Sequence, residues 1–203
     1  MAAWEHADIY GGGESEIAFA KAFGKCEDTR EKVILQSKCG IRKGFYDLSK
    51  EHILSSVDGI LGRLKTDYLD ILLLHRPDAL VEPQEVAEAF SILHQSGKVH
   101  YFGVSNHNPM QIELLQKYCE QKIIIDQLQL SITNNSMIRA GLNVNMENDE
   151  AVNRDGSVLD YSRLHAQLIK CLLLLLCETF FLDLLDLKGP IYGFLVHMIA
   201  VVC

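Results

Sequence analysis

Short apolar runs alternate with longer amphipathic segments from residue 5 to about residue 165 of the 203-residue chain. The runs are nearly continuous rather than alternating, which is typical of strands covered on both faces. A shorter stretch that ends at Tyr10 predicts one more strand. The four longer runs are Val33-Ile34-Leu35, Leu69 to Leu74, Phe102 to Val104 and Ile123-Ile124-Ile125.

The segments between the runs carry apolar stripes at helical spacing. Ser49 is placed to cap the first of the longer helices, and Asn108-Pro109 supplies a cap and a first helical residue for another. Strands that alternate with helices in this rhythm predict an α/β fold with a parallel sheet. The stripes are Glu16 to Phe23; Ile53, Val57, Ile60, Leu61 and Leu64; Val86, Phe90 and Leu93 between Pro83 and Gly97; and Ile112, Leu115 and Cys119.

Two segments depart from this rhythm. Residues 132–156 are polar, Asn-rich and weakly periodic, which predicts a long surface loop. Residues 166–203 form an atypical apolar tail, in which charged residues interrupt the leucine-rich stretches. No apolar stretch there reaches the roughly 18 residues of a spanning helix. Three interpretations of the tail remain open: a helical pair, a poor membrane segment and an aberrant translation product. We favour the aberrant product.

The charge and cysteine content of the chain argue against several classes of binding partner. The formal net charge is −8 and no cluster of Lys and Arg follows one face, so we expect neither nucleic acid nor an anionic membrane surface as a partner. The six cysteines show neither a C-x-x-C pair nor zinc spacing, so we predict no metal site. No secretory signal is evident at the start, which favours a cytoplasmic protein with reduced thiols.

Polar residues stand at or just after the ends of consecutive predicted strands. They are Tyr10, Lys38, His75 and the pair Ser105-Asn106, and Gln127 follows the last run. In a parallel barrel these strand ends open on the face that holds the active site. We therefore expect Tyr10, Lys38 and His75 to converge on one pocket.

Such a set suits carbonyl reduction. A hydride that reaches a carbonyl carbon leaves negative charge on the oxygen, so a proton donor is needed beside it. A phenol is a weak acid at neutral pH, and a neighbouring ammonium eases proton transfer because it stabilises the phenolate. An imidazole can hold the carbonyl oxygen, and a carboxylate can keep the ammonium charged and in place.

Five motifs in this order resemble the aldo-keto reductase family, and most of all its bacterial-type predicted oxidoreductases, over about residues 4–165. They are Glu5-His6-Ala7-Asp8-Ile9-Tyr10-Gly11, Gln36-Ser37-Lys38-Cys39-Gly40, Leu72-Leu73-Leu74-His75-Arg76-Pro77-Asp78, Gly97-Lys98-Val99 and Phe102-Gly103-Val104-Ser105-Asn106.

The resemblance implies a (β/α)8 TIM barrel that is truncated at both ends and runs from about strand 2 to helix 6. We expect a partial barrel domain over residues 1–165, followed by the tail of residues 166–203. The family's first strand would precede residue 1. Residues 158–165 resemble the helix before the seventh strand, and we expect that strand, the eighth strand and the basic residues around the 2′-phosphate of NADP to be missing.

By resemblance, Tyr10 is the proton donor, Lys38 the ammonium that activates it, His75 the group that orients the carbonyl, and Glu5 the counter-ion. Three positions depart from the family pattern: Glu5 replaces the usual Asp, His107 replaces the usual aromatic, and Asp126 replaces a frequent Asn. One extra methylene at Glu5 shifts the carboxylate, and a misplacement of about 1 Å can cost about a hundredfold in rate.

The family uses a Ser-Asn pair and a glutamine to hold the nicotinamide, which here are Ser105, Asn106 and Gln127. The implied activity is an NADP-dependent oxidoreductase that reduces small aldehydes or ketones with NADPH, which we expect to bind less tightly if the C-terminal strands are missing.

The alternative is a catalytically inactive barrel fragment, or a non-enzymatic binding protein derived from the same family. Open strand edges favour self-association of such a fragment. Taken singly, Tyr10 fits a half-buried tyrosine, Lys38 a solvated lysine and His75 a core histidine; the family interpretation depends on their joint spacing.

Overall fold

The computed structural model describes residues 2–23, 30–131 and 134–172. The chain divides into two compact units, Met1–Ile125 and Asp126–Cys203. The first unit contains the catalytic residues predicted from the sequence, and each unit is described by itself.

The first unit is built on parallel strands. β1 pairs with β2, β2 with β5 and β5 with β6, all in parallel, and the sheet order continues to β7. β3 and β4 form a separate antiparallel hairpin. The predicted parallel α/β sheet is confirmed. The strands are β1 (Ala2–Glu5), β2 (Val33–Cys39), β3 (Ile41–Arg42), β4 (Phe45–Tyr46), β5 (Leu69–Leu74), β6 (Val99–Ser105) and β7 (Ile123–Gln129), whose second half belongs to the other unit.

Helices connect these strands where the apolar stripes predict them. The Ser49 hydroxyl accepts a hydrogen bond from the His52 amide. Pro109 is the first residue of its helix, where its missing N–H costs nothing. The helices are α1 (Glu14–Phe23), α2 (Lys50–Leu64), α3 (Pro83–Gln95) and α4 (Pro109–Gln116).

The core lies between the sheet and these helices. Leu72, Leu73 and Leu74 of β5 are fully buried. Phe90 of α3 stacks on Phe102 of β6, with ring centroids 4.1 Å apart. The middle of the sheet is thus closely packed, and the polar residues at the strand ends extend directly from this core.

The expected N-terminal strand is present as β1, but its predicted end at Tyr10 is wrong. β1 ends at Glu5, and Tyr10 begins a 3-10 turn, Tyr10–Gly13. The backbone amide of Tyr10 donates to the carbonyl of Ala7 at 3.0 Å, which closes a turn directly after the strand. Consecutive glycines with positive φ follow, and an extended ladder cannot continue through them.

The second unit contains the end of β7 and the elements α5 (Ser136–Leu142), α6 (Val158–Leu164) and β8 (Leu168–Leu172). Leu128, Val158 and Ile169 form its buried apolar cluster. The predicted loop over residues 132–156 is wrong in part, because α5 and the 3-10 turn Asp149–Ala151 lie within it.

Residues 168–172 show that a strand does follow the helix at residues 158–164, contrary to expectation. Its sequence, Leu-Ile-Lys-Cys-Leu, has one β-branched residue and one cysteine between two leucines. It lies in the first part of the predicted tail. The rest of the predicted tail, residues 173–203, lies outside the described residues, and the boundary at residue 165 stays a prediction. Within the described part of the chain, the helices are too short or too polar to cross a membrane.

Candidate active site

Three neighbouring strands bring their carboxyl ends to the same edge of the sheet. Glu5 is the last residue of β1, Lys38 lies one residue before the end of β2, and His75 follows β5 directly. The His75 amide donates to the carbonyl of Cys39 at 2.9 Å, so the ladder extends to the histidine itself. Residues 33 positions or more apart in the chain are thereby placed side by side.

Lys38 is buried but its ammonium group is compensated. Nζ donates to Oε1 of Glu5 at 2.6 Å and to the carbonyl oxygen of His6 at 3.2 Å. Only 2% of the Lys38 side chain is exposed, against 23% for Glu5. A buried ammonium requires such partners because its loss of hydration is costly. The longer Glu5 side chain therefore still reaches the lysine.

Tyr10 completes the group from the turn that follows β1. Nζ of Lys38 lies 5.0 Å from the centroid of the Tyr10 ring. The His75 ring meets the same ring edge-on, with centroids 5.8 Å apart and an interplanar angle of 82°. The structure thus brings together all four residues that the sequence predicts as catalytic.

The imidazole of His75 is held in its neutral form. Burial, followed by the positive charges of Lys38 and Arg76, lowers the pKa of His75 to about 4. A neutral imidazole has one donor and one acceptor nitrogen. It can therefore donate a hydrogen bond to a carbonyl oxygen without adding charge to the site.

A second polar cluster lies beside these residues and was not predicted from the sequence. Glu16 of α1 is fully buried and accepts from the Ser37 hydroxyl at 2.9 Å and from Nε of Arg63 at 2.6 Å. Burial, and then the negative charge of Glu16, raises the pKa of Asp8 to about 6, although Arg63 acts in the opposite direction.

A signal for this cluster does exist in the sequence of α2. Ser56, Gly59 and Arg63 recur at i, i+3 and i+7, beside the apolar stripe of that helix. Arg63 therefore shares a helix face with Ser56 and Gly59, next to the buried stripe, where it can reach a polar partner on a neighbouring element. The identity of that partner, Glu16, depends on the tertiary fold.

Ser105 and Asn106 lie at the carboxyl end of β6, as predicted. Asn106 has a φ of +58°, a left-handed conformation that Asn adopts more easily than most residues. Its Nδ2 donates to the Ser105 hydroxyl oxygen at 2.9 Å. The ring Nδ1 of buried His107 lies 3.0 Å from the Ser105 carbonyl oxygen, and this contact stabilises the turn at Asn106.

Gln127 belongs to the second unit, where it is buried in β7 next to buried Asp126. The structure brings Glu5, Tyr10, Lys38 and His75 together in the first unit, and it describes Gln127 only within the second.

Comparison with known proteins agrees with this geometry. The profile described as "Aldo/keto reductase family" matches residues 1–150. "Uncharacterized oxidoreductase YcsN" of Bacillus subtilis (strain 168) is 46% identical over 138 residues, which are 63% of this chain and 46% of that protein. The chain spans about half the length of the curated relatives it matches.

Solved structures show the same architecture. The aldo-keto reductase AKR11C1 from Bacillus halodurans, in its holo form, superimposes with a TM-score of 0.65 at 26% identity and covers 84% of this chain and 52% of that one. An aldo-keto reductase from Klebsiella pneumoniae shares the fold with a TM-score of 0.60 at 23% identity, over 83% of this chain and 51% of its own. The predicted incomplete (β/α)8 barrel is confirmed.

The family match extends over well more than half of the chain and includes every segment that contributes a side chain to the site in the first unit. Since the parallel sheet and the solved relatives agree with it, the chain belongs to the aldo/keto reductase family.

Proposed function

We propose that this chain is an NADP-dependent oxidoreductase that reduces small aldehydes or ketones, with Tyr10 as the proton donor. The observation that supports the proposal is the convergence of Tyr10, Lys38 and His75, with the ammonium 5.0 Å and the imidazole 5.8 Å from the centroid of the phenol ring. A proton donor, a cation and a neutral hydrogen-bond donor around one point form the set that a developing alkoxide needs.

The proton comes from the Tyr10 hydroxyl in this proposal. As hydride adds to the carbonyl carbon, the oxygen gains negative charge and takes the phenol proton. The Lys38 ammonium stabilises the negative charge that is left on the phenol, because the two groups are close and the lysine is buried. Glu5 holds the ammonium in place through its 2.6 Å contact.

His75 positions the substrate. Its neutral imidazole donates to the carbonyl oxygen and fixes that oxygen near the phenol. A cationic imidazole would repel the Lys38 ammonium, so the lowered pKa of His75 is consistent with this role. Positioning of the carbonyl beside the proton donor can lower the reaction barrier by several kcal/mol, because the two groups no longer have to meet by chance.

The residues at the end of β6 fit a nicotinamide carboxamide, which offers both a donor and an acceptor. Nδ2 of Asn106 donates to the Ser105 hydroxyl oxygen, and the carbonyl oxygen of the Asn106 side chain is the kind of acceptor that the amide of a ligand requires. Ser105, Asn106 and, by family resemblance, Gln127 would hold the carboxamide. When bound, the reduced nicotinamide supplies the hydride.

We propose NADPH as the reductant. The Klebsiella pneumoniae aldo-keto reductase of the same fold was solved in complex with NADPH. A cytoplasmic location, self-association through open strand edges and the lack of a nucleic-acid partner stay predictions.

The proposal is tested on the full 203-residue chain with two measurements. NADPH binding is followed by the fluorescence of Trp4, the only tryptophan in the sequence, and of the nicotinamide. Turnover is followed as loss of NADPH absorbance with a panel of small aldehydes and ketones. We expect saturable binding and measurable reduction of at least one carbonyl.

Tyr10→Phe is the decisive variant, because it removes the proton donor and keeps the ring. We expect kcat to fall by about a hundredfold or more while NADPH binding is retained. Tyr101→Phe, at an exposed tyrosine of β6, is the matched control and should keep full activity. Full activity in Tyr10→Phe would overturn the proposed role, and the absence of both binding and turnover would favour the non-catalytic alternative.

A further inference from the structure

The turn that carries Tyr10 has little restraint of its own. Gly11, Gly12 and Gly13 follow the tyrosine with φ values of 60°, 66° and 95°. Glycine has more backbone freedom to lose than any other residue, so three in succession do not fix the position of a neighbouring side chain. Besides the backbone hydrogen bonds of the turn itself, contacts made by other elements supply restraint.

Arg63 supplies such a contact from α2. A Cβ atom added to Gly13 would lie 2.8 Å from Cδ and 2.9 Å from Nε of Arg63. A Cβ atom added to Gly59 would lie 2.9 Å from Nη1 of the same side chain. The arginine therefore runs between two glycines, with Cδ and Nε against Gly13 of the Tyr10 turn and its guanidinium end against Gly59.

Glu16 holds the arginine between these glycines. Nε of Arg63 donates to Oε2 of Glu16 at 2.6 Å, while Oε1 accepts from the Ser37 hydroxyl at 2.9 Å. Ser37 directly precedes Lys38 in β2. One continuous set of contacts thus links the strand of the lysine to the turn of the tyrosine.

We infer that Arg63 is a positioning residue. Its ion pair with Glu16 and its packing against Gly13 fix the Tyr10–Gly13 turn, and thereby hold the phenol at its distance from the Lys38 ammonium. The consequence for catalysis rests on the proposed function, whereas the ordering of the turn does not.

A merely structural ion pair would behave differently. Removal of one partner of a buried pair lowers the free energy of unfolding of the whole unit. It would not loosen the Tyr10 turn more than distant elements, and it would not separate kcat from KM. The experiment therefore compares local and distant order and measures both kinetic constants.

Hydrogen–deuterium exchange and steady-state kinetics are measured on the full chain for Arg63→Met and Arg63→Lys. Arg42→Met, at an exposed pair with Asp47, is the control. In the native turn, the amides of Tyr10 and Gly12 donate to the carbonyls of Ala7 and Ile9, both at 3.0 Å. In Arg63→Met we expect these amides to exchange about tenfold faster, with α4 unchanged.

The kinetic expectation is a fall in kcat of about tenfold to a hundredfold with KM changed less than about twofold, because a displaced donor affects the reaction more than binding. Arg63→Lys keeps the charge but loses the Nε donor, and it should give a smaller effect of the same kind. Arg42→Met should leave both measurements at the wild-type values.

Unchanged exchange of the Tyr10 turn in a folded variant would overturn the inference, and so would an equal increase in α4. If Arg63→Met does not fold, Arg63→Lys decides by the same criterion. If the wild-type chain has no reductase activity, the proposed function fails, and the exchange measurement still decides whether Arg63 fixes the turn.

Discussion

The carboxylate of Glu5 lies 2.6 Å from the ammonium of Lys38, and the two residues lie at the carboxyl ends of neighbouring parallel strands. A glutamate at a position where the family usually has an aspartate therefore still contacts the buried lysine. Only 2% of the Lys38 side chain is exposed to solvent. The strength of this contact therefore affects the free energy of unfolding as well as the proposed reaction.

Glu5→Gln should lower the free energy of unfolding, because it leaves a buried ammonium without its counter-ion. We expect a loss of about 2 kcal/mol, which is less than the roughly 3–5 kcal/mol of a fully buried pair because Glu5 is partly exposed. Urea denaturation at pH 7 measures it. Glu88→Gln, at the exposed pair with Lys50, should change stability by less than about 1 kcal/mol. Equal losses in the two variants would contradict the prediction.

His75 should not titrate near neutral pH. Burial and the charge of Lys38 lower the pKa of His75 to about 4, so the ring stays neutral above about pH 5. The chemical shift of its Cε1 proton, followed by NMR from pH 3 to 8, measures this. Lys38→Met removes a charge that disfavours the imidazolium and should move the midpoint upward. A wild-type midpoint near 6.5 would contradict the prediction, because it would mean that burial and the Lys38 charge do not lower the pKa of His75.

Asp8→Asn should stabilise the chain at high pH. The pKa of Asp8 is raised from 3.8 to about 6 in the folded state, so its favourable contribution is complete below pH 3.8 and is lost as the pH rises through 6. Asparagine carries no charge, and we expect a gain at pH 8 of about 1 kcal/mol after allowance for solvent screening.

The gain from Asp8→Asn should shrink as the pH is lowered from 6 to 4. Urea denaturation at pH 4, 6 and 8 checks it, and Asp58→Asn, at an exposed pair with Lys98, is the control. A variant that is less stable than the wild type at pH 8 would mean that the carboxylate is stabilised by Arg63 rather than penalised by burial.

Asn108→Ala should weaken α4 by removing its cap. The Asn108 side chain accepts from the Gln111 amide at 3.0 Å, and the Gln111 side chain accepts from the Asn108 amide at 2.9 Å. Loss of such a cap costs about 1 kcal/mol. Asn108→Asp keeps the acceptor and should retain most of the stability. Thermal denaturation of both variants measures the difference, and identical melting of the alanine variant and the wild type would refute the role of the cap.

Local sequence patterns predict the strands and helices of the first unit well, because burial on both faces of a parallel sheet requires continuous apolar runs. Leu69 to Leu74 is predicted and observed with the same bounds. Ser49 and Asn108 cap their helices as expected, because capping depends only on residues within one turn. The predicted strand end at Tyr10 is wrong, because the hydrogen bond from the Tyr10 amide to the Ala7 carbonyl closes a short turn that apolar periodicity does not reveal.

The sequence alone determines the order of the candidate catalytic residue types along the chain: a phenol, an ammonium and an imidazole, each at or after the end of a predicted strand. The tertiary structure decided which groups meet. Lys38 pairs with Glu5, and Arg63 pairs with Glu16, although the partners are 33 and 47 positions apart in the chain. Spacing along a strand or helix restricts a side chain to one face, whereas its partner on another element is chosen by how the elements pack.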